Sequence, residues 1–104
     1  MTIVTHVKIE SGKEPGWDEA FQRRVDAAKQ QEGWIGVQLC IPADAPNERV
    51  VIGTWRTRAD WEAWHATEVF HETRVLMEGV ELEDRREWWH EVVLDERSQR
   101  DPRS

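Results

Sequence analysis

The sequence predicts one α+β domain in which four antiparallel strands and two helical regions follow the order βαββαβ. The prediction depends on alternating stretches typical of half-buried strands, on apolar residues at helical spacing, and on turn residues between them. A length of 104 residues suits one domain and is too short for two ordinary cores. This order is typical of a ferredoxin-like fold, with both helical regions on one face of the sheet.

The first strand and first helix are predicted from different periodicities. Thr2–Glu10 alternates, as a half-buried strand does. The next helix is expected to begin near Pro15, where a missing N–H costs nothing, and to end at Gly33. Its stripe of regularly spaced residues is apolar apart from one arginine, and consists of Trp17, Ala20, Phe21, Arg24, Val25 and Ala28. We expect the aliphatic stem of Arg24 to cover apolar surface.

Two further strands and a helical region follow. Trp34–Ile41 alternates, with Val37 predicted on one face and Trp34 on the other, and Val50–Arg56 completes a hairpin. Thr57 is positioned to cap a helix and Thr67 to start a second, offset stretch that Gly79 ends.

The C-terminal part of the chain is predicted to hold the last strand and a tail. The fourth strand is expected over Trp88–Leu94, after an acidic connection. The domain is assigned to residues 1–95, and residues 96–104, which include no apolar side chain, are expected to form a flexible tail.

Composition excludes several classes of protein. The net charge of −7 argues against nucleic-acid binding and against attachment to anionic membranes, because both need a basic surface. Cys40 is the only cysteine, so an intramolecular disulfide is impossible. Without a signal-peptide pattern or a membrane-length apolar run, a cytoplasmic location is expected.

One face of the predicted sheet has no helix to cover it, although it carries apolar side chains. An exposed apolar face of this size predicts a partner, and a homodimer through the helix-free face is the simplest arrangement. His90 belongs to a pocket or to this interface, and the interface is preferred; His6 is open to the same two assignments.

Three stretches resemble the antibiotic biosynthesis monooxygenase family: residues 4–13, residues 32–38 and, most specifically, Gly53–Phe70. The last is similar to the family pattern of spaced aromatic and hydroxyl residues after the third strand, here Trp55, Thr57, Trp61, Trp64, Thr67 and Phe70. The resemblance implies a dimeric α+β barrel with a pocket between sheet and helices in each subunit. It also implies oxygenation of a small hydrophobic or aromatic ligand by O2, with neither metal nor flavin.

Candidate site residues follow from this resemblance and from helical spacing. Catalytic roles are predicted for Trp64, His65 and Arg74, with His65 as a general base flanking the pocket and Arg74 pairing with Glu68 or holding an anionic group. Because His65 directly follows Trp64, the two side chains are not expected to point straight into the same pocket. The predicted substrate-binding residues are Thr5, Trp55, Trp61, Phe70 and His71.

Two alternatives stay open at this point. One is haem binding or degradation: Trp64 matches the pocket tryptophan of the haem-degrading branch, but that branch's axial histidine falls on Arg74 and its pocket asparagine on Thr5 or His6. His71 is the nearest substitute ligand, about 60° from the direction of Arg74 on an ideal helix. The other alternative is a dimeric ligand-binding domain without catalytic activity. No metal site is predicted, because His65, Glu68 and His71 drift around the helix.

Overall fold

The computed structural model describes residues 1–82 and 85–98, and its strands follow the predicted order. The second helical region consists of two helices. The elements are β1 (Thr2–Lys8), α1 (Glu14–Ala28), β2 (Trp34–Cys40), β3 (Glu48–Trp55), α2 (Arg58–His65), α3 (Glu68–Glu78) and β4 (Arg86–His90). None of the helices in these ranges is long and apolar enough to cross a membrane.

All strand pairs in the four-stranded sheet are antiparallel, and the strand order is β2-β3-β1-β4. The α+β ferredoxin-like prediction is therefore confirmed. Alternate residues of β1, namely Ile3, Thr5 and Val7, are buried on the face that the helices cover. Burial of this face against α1 and α3 fixes the register, because a slip by one residue would turn these side chains outward.

The two hydroxyl caps in the helical region lie as predicted. The Thr57 hydroxyl accepts a hydrogen bond from the Asp60 backbone N–H at 3.1 Å, and Thr67 accepts one from Phe70 at 3.3 Å. Each bond satisfies a backbone donor that the first turn of a helix leaves unpaired. The break between α2 and α3 turns the chain, so that Trp64 and Phe70 pack against each other.

The predicted end of the first helix is wrong. Helix α1 stops at Ala28, and Gly33 instead adopts φ +84° in the turn that leads into β2. A Cβ atom at Gly33 would collide with the Asp60 side chain, so this glycine serves both the turn and the close approach of α2. The turn that needs this positive φ lies five residues beyond the end of the helix.

The faces of β2 also differ from the prediction. A β-bulge between Trp34 and Gly36 shifts the register, so Trp34 lies opposite Trp55 and Val37 opposite Gly53. Trp34 and Val37 therefore share the helix-facing side, because an extra residue in one strand inverts the alternation. Strand β4 is shorter than expected: Val92, Val93 and Leu94 are exposed and lie outside it. Of the predicted tail, residues 99–104 lie outside the described range.

Two groups of buried side chains fill the space between sheet and helices. One group lies at the β1–α1–α3 contact and comprises Val7, Ile9, Trp17, Ala20, Phe21 and Met77. The second lies near α2 and comprises Ala28, Trp55, Trp64 and Phe70. The candidate functional site lies between the sheet and the helices, with walls from both groups.

Candidate functional site

A cavity separates the helix-facing side of the sheet from the helices. The empty space in this cavity has a volume of about 690 Å³, which includes a part that is open to solvent. The centres of water molecules can occupy about 90 Å³, which is room for several waters because one needs roughly 10–15 Å³ by this measure. The sheet contributes Ile3, Thr5, Val7, Trp34, Gly36, Val37, Val51, Gly53 and Trp55. A largely apolar cavity with few polar groups is typical of a small-molecule site.

Aromatic rings form the wall nearest α2 and α3. The Trp55 and Trp64 rings stack with centroids 6.5 Å apart, and the Phe70 ring meets Trp64 edge-on at 5.7 Å. Trp61 extends this wall and contacts Trp89 of β4 in a T-shaped arrangement at 4.7 Å. These contacts fix ring positions from four elements, so the wall is rigid and suits a planar apolar ligand.

His65 lines the cavity at the end of α2 and is half-buried. Its Nδ1 atom lies 2.9 Å from the Trp61 carbonyl oxygen. Since a carbonyl oxygen can only accept, we assign the hydrogen to Nδ1, which leaves Nε2 as an acceptor. The pKa of His65 is lowered to about 4, mainly by burial and also by the charge of Arg24, while the hydrogen bond to Trp61 opposes the shift. The imidazole is therefore neutral at pH 7.

Arg24 brings a positive charge to the same cavity from α1. Its Nε donates to the Thr73 hydroxyl at 3.0 Å, and its guanidinium carbon lies 4.3 Å from the centroid of the Phe70 ring. The His65 ring contacts Phe70 as well, at 3.9 Å between centroids. A neutral acceptor and a cation therefore lie against one aromatic ring.

Two carboxylates and an arginine form a hydrogen-bonded network, which makes a second, polar wall of the cavity. Glu81, whose side chain is only 5% exposed, accepts from the Trp17 indole N–H at 2.9 Å and from Arg85 at 3.0 Å. Arg85 also donates to Glu87 at 3.0 Å. The network ties α1 to the β4 side of the sheet, and both carboxylates are already bonded within it.

Six of the eight residues predicted for the site line the cavity: Thr5, Trp55, Trp61, Trp64, His65 and Phe70. Trp64 and His65 both do so, although adjacent residues were not expected to point into one pocket. His71 and Arg74 are exposed and are not among the lining residues, and Arg74 pairs with Glu78 at 2.8 Å, not with Glu68. The offset between α2 and α3 turns these two side chains away from the sheet.

Several lining residues were not predicted as part of the site, notably Arg24, Trp34 and the Glu81–Arg85 pair. Arg24 carried a usable signal, because a charged residue in the middle of an apolar helix stripe faces the interior. Trp34 was not predicted because strict alternation along β2 assigns its side chain to the helix-free face, whereas the bulge brings it to the helix-facing side. Glu81 and Arg85 lie in a connection without periodicity, where no pattern indicates direction.

The residues around the cavity do not fit a haem site. Of the four histidines, all in the described range, His65 alone lines the cavity. Its ring packs at 3.5 Å from the Trp61 centroid and at 3.9 Å from Phe70, while His71 faces solvent. Across residues 1–82 and 85–98, no three His, Cys, Asp or Glu side chains are grouped to hold a metal ion.

The model of the antibiotic biosynthesis monooxygenase family matches residues 1–75 of the chain. No curated protein matches the chain. A candidate antibiotic biosynthesis monooxygenase from Nitrosomonas europaea superposes with a TM-score of 0.84 at 17% identity, covering 88% of each chain. SnoaB, a cofactor-independent oxygenase from Streptomyces nogalater, superposes with a TM-score of 0.77 at 18% identity, covering 91% of this chain and 96% of its own. At these identities the structural matches establish the fold.

Proposed function

Because the chain belongs to the antibiotic biosynthesis monooxygenase family, we propose that it oxygenates a small aromatic substrate in the cavity without a cofactor. The observation that carries the proposal is a rigid aromatic wall with a neutral histidine beside it. SnoaB, which shares the fold, is itself a cofactor-independent oxygenase.

The proposed reaction begins with a hydroxyl or activated C–H of the substrate hydrogen-bonded to Nε2 of His65. Proton transfer to Nε2 leaves an electron-rich carbanion that reacts directly with O2. One oxygen atom enters the product as a carbonyl group, and the other leaves as water with two substrate hydrogens. A low pKa makes His65 a weak base, and the negative charge formed on the substrate raises that pKa during transfer.

Apolar walls serve this chemistry in two ways. They keep bulk water from the carbanion, which water would otherwise reprotonate. They also hold a planar substrate against Trp55, Trp64 and Phe70, so that its reacting carbon has a fixed position. Thr5 lies on the floor of the cavity as an additional hydrogen-bonding group.

Oxygen uptake tests the proposal. Chelator-treated, flavin-free protein is mixed with anthrone, 1-naphthol and 1,4-dihydroxynaphthalene, and initial rates are compared with buffer alone. We expect uptake above background for at least one compound, with a product that contains one oxygen atom more and two hydrogen atoms fewer than the substrate. Rates equal to background for all three would contradict the oxygenase proposal, and would favour a dimeric ligand-binding domain. A hemin titration with a Soret shift that His65→Ala abolishes would favour haem binding instead.

The proposed active form is a homodimer that associates through the helix-free face. Across this face Ile52, Val4 and Trp88 are direct neighbours on β3, β1 and β4, and Trp88 is 45% exposed. The row is flanked by the Thr2–Thr54 hydrogen bond at 3.0 Å and by the contact of His6 with Glu48 at 2.7 Å. An apolar row with satisfied polar edges favours a self-complementary contact.

A further inference from the structure

The Arg24 guanidinium has hydrogen-bonding capacity that the protein does not use. A guanidinium carries five N–H donors, and within the described residues only the Nε–H has a partner, the Thr73 hydroxyl. No described carboxylate lies within 4 Å of this guanidinium. Its terminal nitrogens are not among the atoms sealed from solvent, and Arg24 is one of the residues that line the cavity.

The carboxylates nearest to Arg24 are engaged elsewhere. Glu81 is bonded to Trp17 and Arg85, and Glu87 to Arg85. Glu78 pairs with Arg74 on the outer side of α3. The charged residues that line the cavity are two arginines and two glutamates, so their formal charges cancel. Both carboxylates, however, bond to Arg85, and neither bonds to Arg24.

Burial makes this arrangement unfavourable for an unpaired cation. The pKa of Arg24 is lowered to about 10, mainly by burial and also by the charge of Arg85, while the charges of Glu81 and Glu78 oppose the shift. The side chain is still a cation at pH 7. A half-buried cation gains most from an oxyanion in a desolvated cavity, where charge-assisted hydrogen bonds are strongest.

We propose that Arg24 binds an anionic oxygen, a carboxylate or a phenolate, carried by the aromatic ligand of the cavity. Its Thr73 bond and its contact with Phe70 hold the guanidinium plane still, so the terminal N–H groups have a defined direction. Because Arg24 and His65 both lie against the Phe70 ring, one ring system of a ligand can present its anionic oxygen to Arg24 and its reacting atom to His65. The inference rests on the proposed function only in placing the ligand in this cavity.

Binding of naphthalene probes tests the proposal without turnover. Calorimetry at pH 7 gives the Kd of 2-naphthoate and of its neutral analogue 2-naphthamide for the full chain, for Arg24→Gln and for Arg23→Gln. Arg23 is the matched control, because it neighbours Arg24 on α1 but is exposed and pairs with Glu19. Absorbance titration of bound 2-naphthol reports whether the protein lowers the pKa of the naphthol.

We expect the unaltered chain and Arg23→Gln to bind 2-naphthoate at least about tenfold more tightly than 2-naphthamide. Arg24→Gln should lose this preference and keep the 2-naphthamide Kd within about twofold. A lowered naphthol pKa that depends on Arg24, without a naphthoate preference, would identify the anion as a phenolate. Should Arg24→Gln not fold, Arg24→Lys retains the cation and is expected to retain a reduced preference.

The proposal is overturned if the unaltered chain shows neither a naphthoate preference nor a lowered naphthol pKa, which includes the case in which no probe binds at millimolar concentration. It is also overturned if either effect persists in Arg24→Gln. Because no oxygenation is measured, anion binding can hold while oxygen uptake fails, and oxygen uptake can hold while Arg24 proves irrelevant. The two proposals therefore fail independently.

Discussion

The Nδ1 atom of His65 lies 2.9 Å from the carbonyl oxygen of Trp61, one helical turn earlier in α2. This bond determines which nitrogen of the imidazole carries the hydrogen, and it also keeps the ring in the cavity wall. A helix end thus supplies both the orientation and the tautomer of the histidine, with no carboxylate in the usual orienting role.

The stability of the protein should depend on pH through His65. Folding lowers the pKa of His65 from 6.5 to about 4, mainly by burial. Above pH 6.5 the residue is neutral in both states and has no effect. Between pH 6.5 and 4 only the unfolded chain binds the proton, so the free energy of unfolding falls as the pH falls. We expect a loss of about 1 kcal/mol at pH 5 after allowing for solvent screening.

Urea unfolding of the unaltered chain and of His65→Gln at pH 7 and pH 5 measures this contribution. Carboxylates affect both proteins alike, so the difference between the two pH dependences isolates His65. An identical pH dependence in both proteins would show that folding does not lower this pKa.

Trp64 should be the most costly ring to truncate. It is 3% exposed and contacts both Trp55 and Phe70, so Trp64→Ala removes the centre of the aromatic wall. We expect a loss of about 3–5 kcal/mol in the free energy of unfolding, with a smaller loss for Trp64→Phe. Val75→Ala, at a position 76% exposed, is the control and should change stability little. A loss below 1 kcal/mol for Trp64→Ala would mean that the wall is loosely packed.

Two glycines should respond to alanine with opposite signs. Gly33→Ala forces a side chain into φ +84° and against Asp60, and should destabilise the fold by more than about 1 kcal/mol. Gly16 lies in α1 with open space around it, so Gly16→Ala should stabilise by about 0.5–1 kcal/mol. Thermal unfolding of both variants checks the pair, and equal shifts would contradict the close approach of α2 to Gly33.

Association through the helix-free face should be abolished by a charge in its apolar row. Ile52→Lys places an ammonium beside Val4, whereas Leu76→Lys on the outer side of α3 adds the same charge elsewhere. Light scattering after size exclusion should give a dimer for the unaltered chain and for Leu76→Lys, and a monomer for Ile52→Lys. A dimer that survives Ile52→Lys would place the interface on another surface.

Element order could be predicted from the sequence because each signal is local. Thr57 and Thr67 cap their helices with their own hydroxyls, and the alternation of β1 follows from burial of one face. What failed depended on distant contacts. Gly33 is required by Asp60 of another element, and the bulge beside Trp34 is a property of pairing with β3.

The site shows the same division between local and distant causes. Spacing and the family resemblance together indicated Trp61, Trp64 and His65, which share one short helix, although Trp64 and His65 were not expected to point into the same pocket. The pattern indicated an offset second stretch from Thr67, but it could not show the direction of that stretch, which turns His71 and Arg74 outward. Nor could it show that the one charged residue in the α1 stripe, Arg24, ends against Phe70 of α3.

The most direct test of the central claim is the rate at which His65→Gln oxidises a substrate that the unaltered chain turns over, such as anthrone to anthraquinone. Glutamine cannot take up the proton, so we expect kcat/KM to fall at least about 100-fold while far-UV circular dichroism is unchanged. Glu62→Gln, an exposed position on the same helix, should keep the full rate. A folded His65→Gln protein with an unchanged rate would contradict the account.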